Sequence, residues 1–252
     1  MQRALTLYQT GIGKKAVMAV SGAMLVGFLI AHLLGNLQVF LGPEVLNGYA
    51  ASLRKIPALL WVARIGLIGA VVAHIWSAVQ LIGQNSDARP VEYKVVTPNA
   101  STYASRTMRW SGPIVALFIG YHLAHLTFGV GYAAEHPYSH HNVYNNLVYS
   151  FRQPVLALVY IVANILVAMH LRHGVWSALQ TLGANHRKYN ALRERASMAI
   201  AGLILLGNVG IPLGILLGAI EPTDETFCYE ELAKEPGECE GFEDGRAVGA
   251  GE

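Results

Sequence analysis

The 252-residue chain reads as an all-α integral membrane protein: a bundle of five transmembrane helices, N-terminus cytoplasmic and C-terminus outside. Three observations carry that expectation. Composition is the first: 53% of residues are hydrophobic and only 13% are charged, against roughly 25% charged in an average soluble domain. A soluble bundle with so few polar surface positions would aggregate. Second, five stretches, at about 16–41, 58–83, 110–134, 154–180 and 197–220, match the roughly 20 apolar residues needed to cross a bilayer. Third, Lys and Arg are shared unequally between the two sets of loops, twelve against six, which places the N-terminus inside. The net charge of +2 is therefore topological and says little about nucleic acid.

The first stretch is preceded by Lys14 and Lys15. It is too long for the roughly 7–15-residue core of a signal peptide, and no small-residue cleavage site follows it. It reads as a first span entering from the cytoplasm. The loop at 84–106, with Pro90 and Pro98, is a polar cytoplasmic connector. Gly112-Pro113 marks an expected helix start, since proline suits a first turn. The loop near 183–195 carries Arg187, Lys188, Arg193 and Arg195, which either dock a soluble partner or only fix topology. In the last span Gly210, Gly214 and Gly218 form a small-residue face for close helix contact, and Pro212 should kink it. Residues 1–220 thus make one membrane domain, without an internal repeat. From 221 to 252 the chain becomes an acidic tail (Glu230, Glu231, Glu235, Glu238, Glu240, Glu243, Asp244), expected to be disordered or draped on a partner. Its Cys228 and Cys239 are either a disulfide, if the tail is outside, or two free thiols. The absence of CxxCH excludes covalent c-type haem.

Four histidines, His32, His74, His122 and His170, lie one per span in four different spans. An ionisable residue in lipid is expensive and usually functional. Four imidazoles are also the number that holds two haem irons by two axial ligands each. Depth sorts them. His32 lies 16 residues into a helix entering from inside, about 24 Å deep. His74 and His170 each lie 16 residues into helices entering from outside, and so sit in the inner third. The helix starting near Trp110 carries His122 and His125 from the middle toward the outer half. An outer pair, His32 with His122 or His125, and an inner pair, His74 with His170 or His173, follow. Each couple on one helix is i, i+3 and shares a face, so the residues leave both choices open. Zinc fits poorly, because the spans contain no Asp or Glu. His136, His140 and His141 of the outer loop are either a surface metal site or solvated loop residues.

With FLIAHLLGN around His32, VVAHIW around His74, GYHLAH in the third span and MHLRHGVWSALQTLG in the fourth, the chain resembles a known family. This is the single-subunit, dihaem cytochrome b membrane anchor of succinate dehydrogenases and fumarate reductases. The opening GIGKKAVMAVSG is similar too, and the likeness covers about residues 10–220. It implies two haem b groups, the outer on His32 and His122 and the inner on His74 and His170. It implies a flavoprotein with FAD and an iron–sulfur protein docked on the cytoplasmic side, and a higher oligomer of that complex is open. It also implies quinone, menaquinone above all, as substrate, and a place in the inner (cytoplasmic) membrane of a bacterium. The expected function is the electron-transfer anchor of succinate:quinone oxidoreductase, linking the tricarboxylic acid cycle to the quinone pool. This chain has no dinucleotide fold and no cysteine cluster, so the dicarboxylate and iron–sulfur chemistry belong to partners. Some dihaem relatives carry an intramembrane glutamate two residues before the ligand of the fourth span; here that position is Ala168. A quinone head would find polar groups at Ser77, Gln80, Arg172, His173 and Trp176 inside, or at Asn36, Gln38 and Glu44 outside. The alternatives are a dihaem anchor of another quinone-linked complex, of fumarate reductase, hydrogenase or formate dehydrogenase type, or a haem-free membrane subunit.

Overall fold

A computed structural model describes residues 10–88, 103–184, 186–229, 239–240, 242–243 and 246–247. The connector around Pro90 and Pro98, expected to be cytoplasmic, and most of the tail's acidic run lie outside the described residues. The protein is helical. Helix α1 (Gly11–Asn36) tightens into a 3-10 turn to Leu41 and is followed by α2 (Pro43–Ser52) and α3 (Pro57–Asp87). Helix α4 (Tyr103–His122) widens into a π-helical turn, Leu123–Thr127. Then come α5 (Val143–Phe151), α6 (Pro154–Thr181) and, after a 3-10 turn at Arg187–Tyr189, α7 (Asn190–Leu216). Three of these helices, α2, α3 and α6, begin on a proline, whose missing N–H is one the first turn would leave unbonded anyway.

Among the described residues four segments are long and apolar enough to cross a bilayer: 11–41, 57–87, 154–181 and 187–216. They turn large apolar side chains outward, as Val62 (68% exposed) and Leu206 (75%) illustrate. Such surfaces are stable only where the solvent is lipid. The protein is therefore a multi-pass membrane protein. The third expected span differs from the other four. Its helix starts at Tyr103 rather than at Gly112-Pro113, and Pro113 lies in the helix interior. The residues before the proline already form helical turns, and only the carbonyl one turn back loses its donor. At the far end the helix closes at Thr127, short of residue 134, because Gly129 and Gly131 adopt positive φ (71° and 90°).

The chain divides into two compact units. The first comprises 1–30, 62–112 and 167–203, which brings N-terminal portions of α1 and α7 together with C-terminal portions of α3 and α6. Here the Lys14 ammonium donates to Gln80 Oε1 (3.2 Å), and the Arg193 guanidinium lies over the Trp176 ring, 4.6 Å from its centroid. An apolar groove of about 530 Å³ runs between α1 and α3, lined among others by Ala16, Gly66, Gly69 and Ala73.

The second unit comprises 31–61, 113–166 and 204–252. Its core joins Val39, Leu46, Tyr144, Val148, Phe151, Tyr160, Ile211 and Ile215. Tyr144, Val148 and Phe151 recur on one face of α5 at helical spacing, which is why so short a helix holds its place. Asn47 of α2 is fully buried and satisfied: its Oδ1 accepts Tyr144 N–H (2.9 Å) and its Nδ2 donates to Asn142, the N-cap of α5. The connections that follow α1 and α4 are thus not plain loops but carry α2 and α5. Nor is the start of the tail loose. Asn145 exchanges two hydrogen bonds with the Thr223 backbone (2.7 and 3.0 Å), Tyr144 OH donates to Glu221 O, and Tyr229 N–H donates to His141 Nδ1. Cys228 and Cys239 form a disulfide, Cα–Cα 5.4 Å. Further on, Phe242–Glu243 pairs antiparallel with Arg246–Ala247.

The glycine stripe of the last helix makes a close contact at only one of its three members, Gly214, where an added Cβ would stand 3.3 Å from both Phe40 Cε1 and Ile220 Cδ1. Gly210 faces open space, and Gly218 (φ 75°) ends the helix instead of packing it. A tighter approach is at Gly207, where an added Cβ would stand 2.5 Å from Leu33 Cδ1, with Leu33 only 1% exposed. Gly207→Val should therefore destabilise the protein by about 1–3 kcal/mol through overpacking. A lower thermal midpoint in detergent checks this; an unchanged midpoint contradicts the close approach.

Candidate functional site

The four span histidines meet in two pairs, one in each unit. In the first unit His74 of α3 faces His170 of α6, with ring centroids 6.2 Å apart and planes at 65°. In the second unit His32 of α1 faces His122 of α4, at 5.8 Å and 90°. An imidazole nitrogen bonds a metal at about 2 Å and stands about 1 Å from its ring centre, so rings across one ion have centroids about 6 Å apart. Both separations fit that requirement. Rotation about the nitrogen–metal axis is free, so the interplanar angles fit it too.

The surroundings of His74 fix which nitrogen is available. Its Nδ1 lies 3.2 Å from Met18 O and 3.3 Å from Ser21 Oγ of α1. A carbonyl only accepts, so Nδ1 carries the proton and Nε2 keeps its lone pair. This arrangement, with one nitrogen on a carbonyl and the other free for an ion, is the usual one for a metal-bound histidine. Gly22 makes room for it, since a Cβ there would lie 3.2 Å from His74 Cε1. Across the pair, His170 Nδ1 is buried with no hydrogen-bond partner.

His125 lies one turn from His122 and is only 3% exposed. Both of its nitrogens are engaged, Nδ1 with Tyr160 OH (2.9 Å) and Nε2 with Ser150 Oγ (3.3 Å). It is a satisfied core histidine, and it has no lone pair to offer a metal. Likewise His170, not His173, presents its ring to His74. In the loop before α5 His136 stacks on Tyr149 (3.7 Å) and His140 meets the Tyr138 edge, so the three loop histidines do not converge. His141 does lie near Cys228 and Cys239, but those sulfurs are bonded to each other and offer no thiolate. Burial keeps the Tyr138 hydroxyl above the usual phenol range, against the opposing pull of Arg54, and it donates to Thr127 O.

No protein-family model, curated protein or solved structure matches the chain. The residues must speak for themselves. Several polar groups expected near a quinone are already used: Ser77 donates to Ala73 O, Gln80 accepts from Lys14, and Trp176 lies under Arg193. Arg172 and Glu44 are exposed, and His173, Asn36 and Gln38 are half-buried. Sequence reasoning missed the supporting groups Met18, Ser21, Gly22 and Tyr160. A tyrosine hydroxyl within an apolar span must find a partner, and that was the available signal for Tyr160.

Proposed function

We propose that the chain is the dihaem cytochrome b anchor of a succinate:quinone oxidoreductase, with His32 and His122 holding one haem b and His74 and His170 the other. The observation that carries this reading is the pair of facing imidazoles, twice over, each at a separation that would let two histidines hold one iron between them. When bound, haem supplies a one-electron iron couple whose potential the protein sets through burial and hydrogen bonding. The chain's own residues do the rest. Met18 O holds the His74 tautomer and raises the basicity of Nε2, while apolar spans keep water from the site. In this reading five spans cross the membrane, α4 with its π-helical turn being the third. The N-terminus lies in the bacterial cytoplasm, and the disulfide-bearing tail lies outside, where disulfides persist. Electrons come from an iron–sulfur partner, itself fed by an FAD flavoprotein, and leave to quinone, menaquinone first.

An optical spectrum of the purified chain tests the reading. Two b-type haems per chain, by pyridine haemochrome, are expected; a colourless chain overturns it. Docking gives a further expected result. Arg187, Lys188 and Arg195 are exposed, whereas Arg193 is buried and no part of that surface. Reversing the three exposed charges should release the soluble subunits from co-purification while both haems stay bound. Undiminished co-purification would leave these residues a topological role only.

A further inference from the structure

Two cations of the first unit are buried without a counter-ion. Lys14 is 7% exposed and Arg193 is 5% exposed. Among the described residues neither has a carboxylate partner. Lys14 donates to the neutral amide of Gln80. Arg193 Nη2 donates to Asn190 Oδ1, while its Nε and Nη1 are buried with no hydrogen-bond partner. A π face and two amides leave both charges uncompensated, and a buried charge is stable only when paired and hydrogen-bonded.

Their places relative to the inner histidines match. Gln80 follows His74 by six residues on α3, and Trp176 follows His170 by six on α6, so each lies about 9 Å farther along its helix. The unit gathers the C-terminal portions of both helices, so the two steps run toward the same end. Lys14 stands one turn before Met18, on the α1 face that backs His74. The paired histidines are thus followed, at one level, by two buried cations.

We propose that Lys14 and Arg193 anchor the two propionate carboxylates of the haem held by His74 and His170. The inference rests on the haem reading above. A haem carries both carboxylates on one edge of its ring, so one bis-histidine site and two cations on one side of it form a single recognition pattern. Arg193, with its planar fork of donors, suits a bidentate carboxylate, and Lys14 supplies a point charge. The cations would also favour the reduced, more negative state of a haem held there.

Redox titration of the purified full chain tests this, with the inner haem identified as the one lost in His74→Ala. Arg193→Gln and Lys14→Gln should each keep two haems per chain and move the inner potential to more negative values. The double variant should move it further, and Arg193→Lys should move it less than Arg193→Gln. The outer haem should titrate unchanged in all four. If Arg193→Gln fails to accumulate, Lys14→Gln and Arg193→Lys carry the same comparison. Two haems with an unmoved inner potential overturn the proposal while leaving the haem reading intact. So does release of a co-purifying anionic phospholipid without a potential shift, which would make the cations a headgroup site. A wild-type chain without haem overturns both.

Discussion

Replacing His74 or His170 by alanine should halve the haem content, from two equivalents per chain to one, and the haem that remains should be the same in both variants. His32→Ala and His122→Ala should leave the other one. The expectation follows from the facing rings, 6.2 Å apart in one pair and 5.8 Å in the other. His125→Ala should keep both haems. It strands Tyr160 OH in the core, so it should lower stability by about 1–3 kcal/mol instead. Pyridine haemochrome content with a redox titration separates these results. A full haem equivalent lost in His125→Ala and retained in His122→Ala would reverse the outer assignment.

Collapse of the membrane potential should slow succinate oxidation by intact cells severalfold while dye-linked succinate dehydrogenase activity persists. In the proposed orientation, electrons enter near His74 and His170 and leave to quinone near His32 and His122, crossing most of the membrane outward. Each charge moved through 100 mV is worth about 2.3 kcal/mol, enough to drive reduction of a low-potential quinone. A proton moving with the electron would cancel that term. The position two residues before His170, where some proteins of the dihaem family that the sequence resembles carry a glutamate, is here Ala168, buried and without a proton to give. Oxidation unaffected by an uncoupler would place quinone reduction at the cytoplasmic end, beside the inner pair.

The long helices and the grouping of the histidines were legible in the sequence because both depend on simple periodicities. Counting sixteen residues from each membrane edge puts His74 level with His170, and no packing detail is needed for that. The choice between His122 and His125 was not legible. It depends on Tyr160 and Ser150, which come from α6 and α5 and saturate one ring of the two. Arg193 misled for a related reason. In sequence it belongs to a run of surface cations, but α7 has already begun by Asn190, and helical rotation turns Arg193 over the Trp176 ring while Arg187, Lys188 and Arg195 face out. Pro113 read as a boundary because its chemistry suits one; the turns in front of it, from Tyr103, made it an interior residue.

The clasp that ties Glu221, Thr223 and Tyr229 to α5 and to the loop before it has a bearing on biogenesis. Its two halves come from opposite sides of α6 and α7 in the chain, so it closes only after the last helix has been threaded and its far end delivered. The Cys228–Cys239 bond then follows from the compartment the tail has reached. Thiol alkylation during synthesis would therefore act as a clock: labelled cysteines mark chains still in transit, and protected ones mark chains whose insertion is complete.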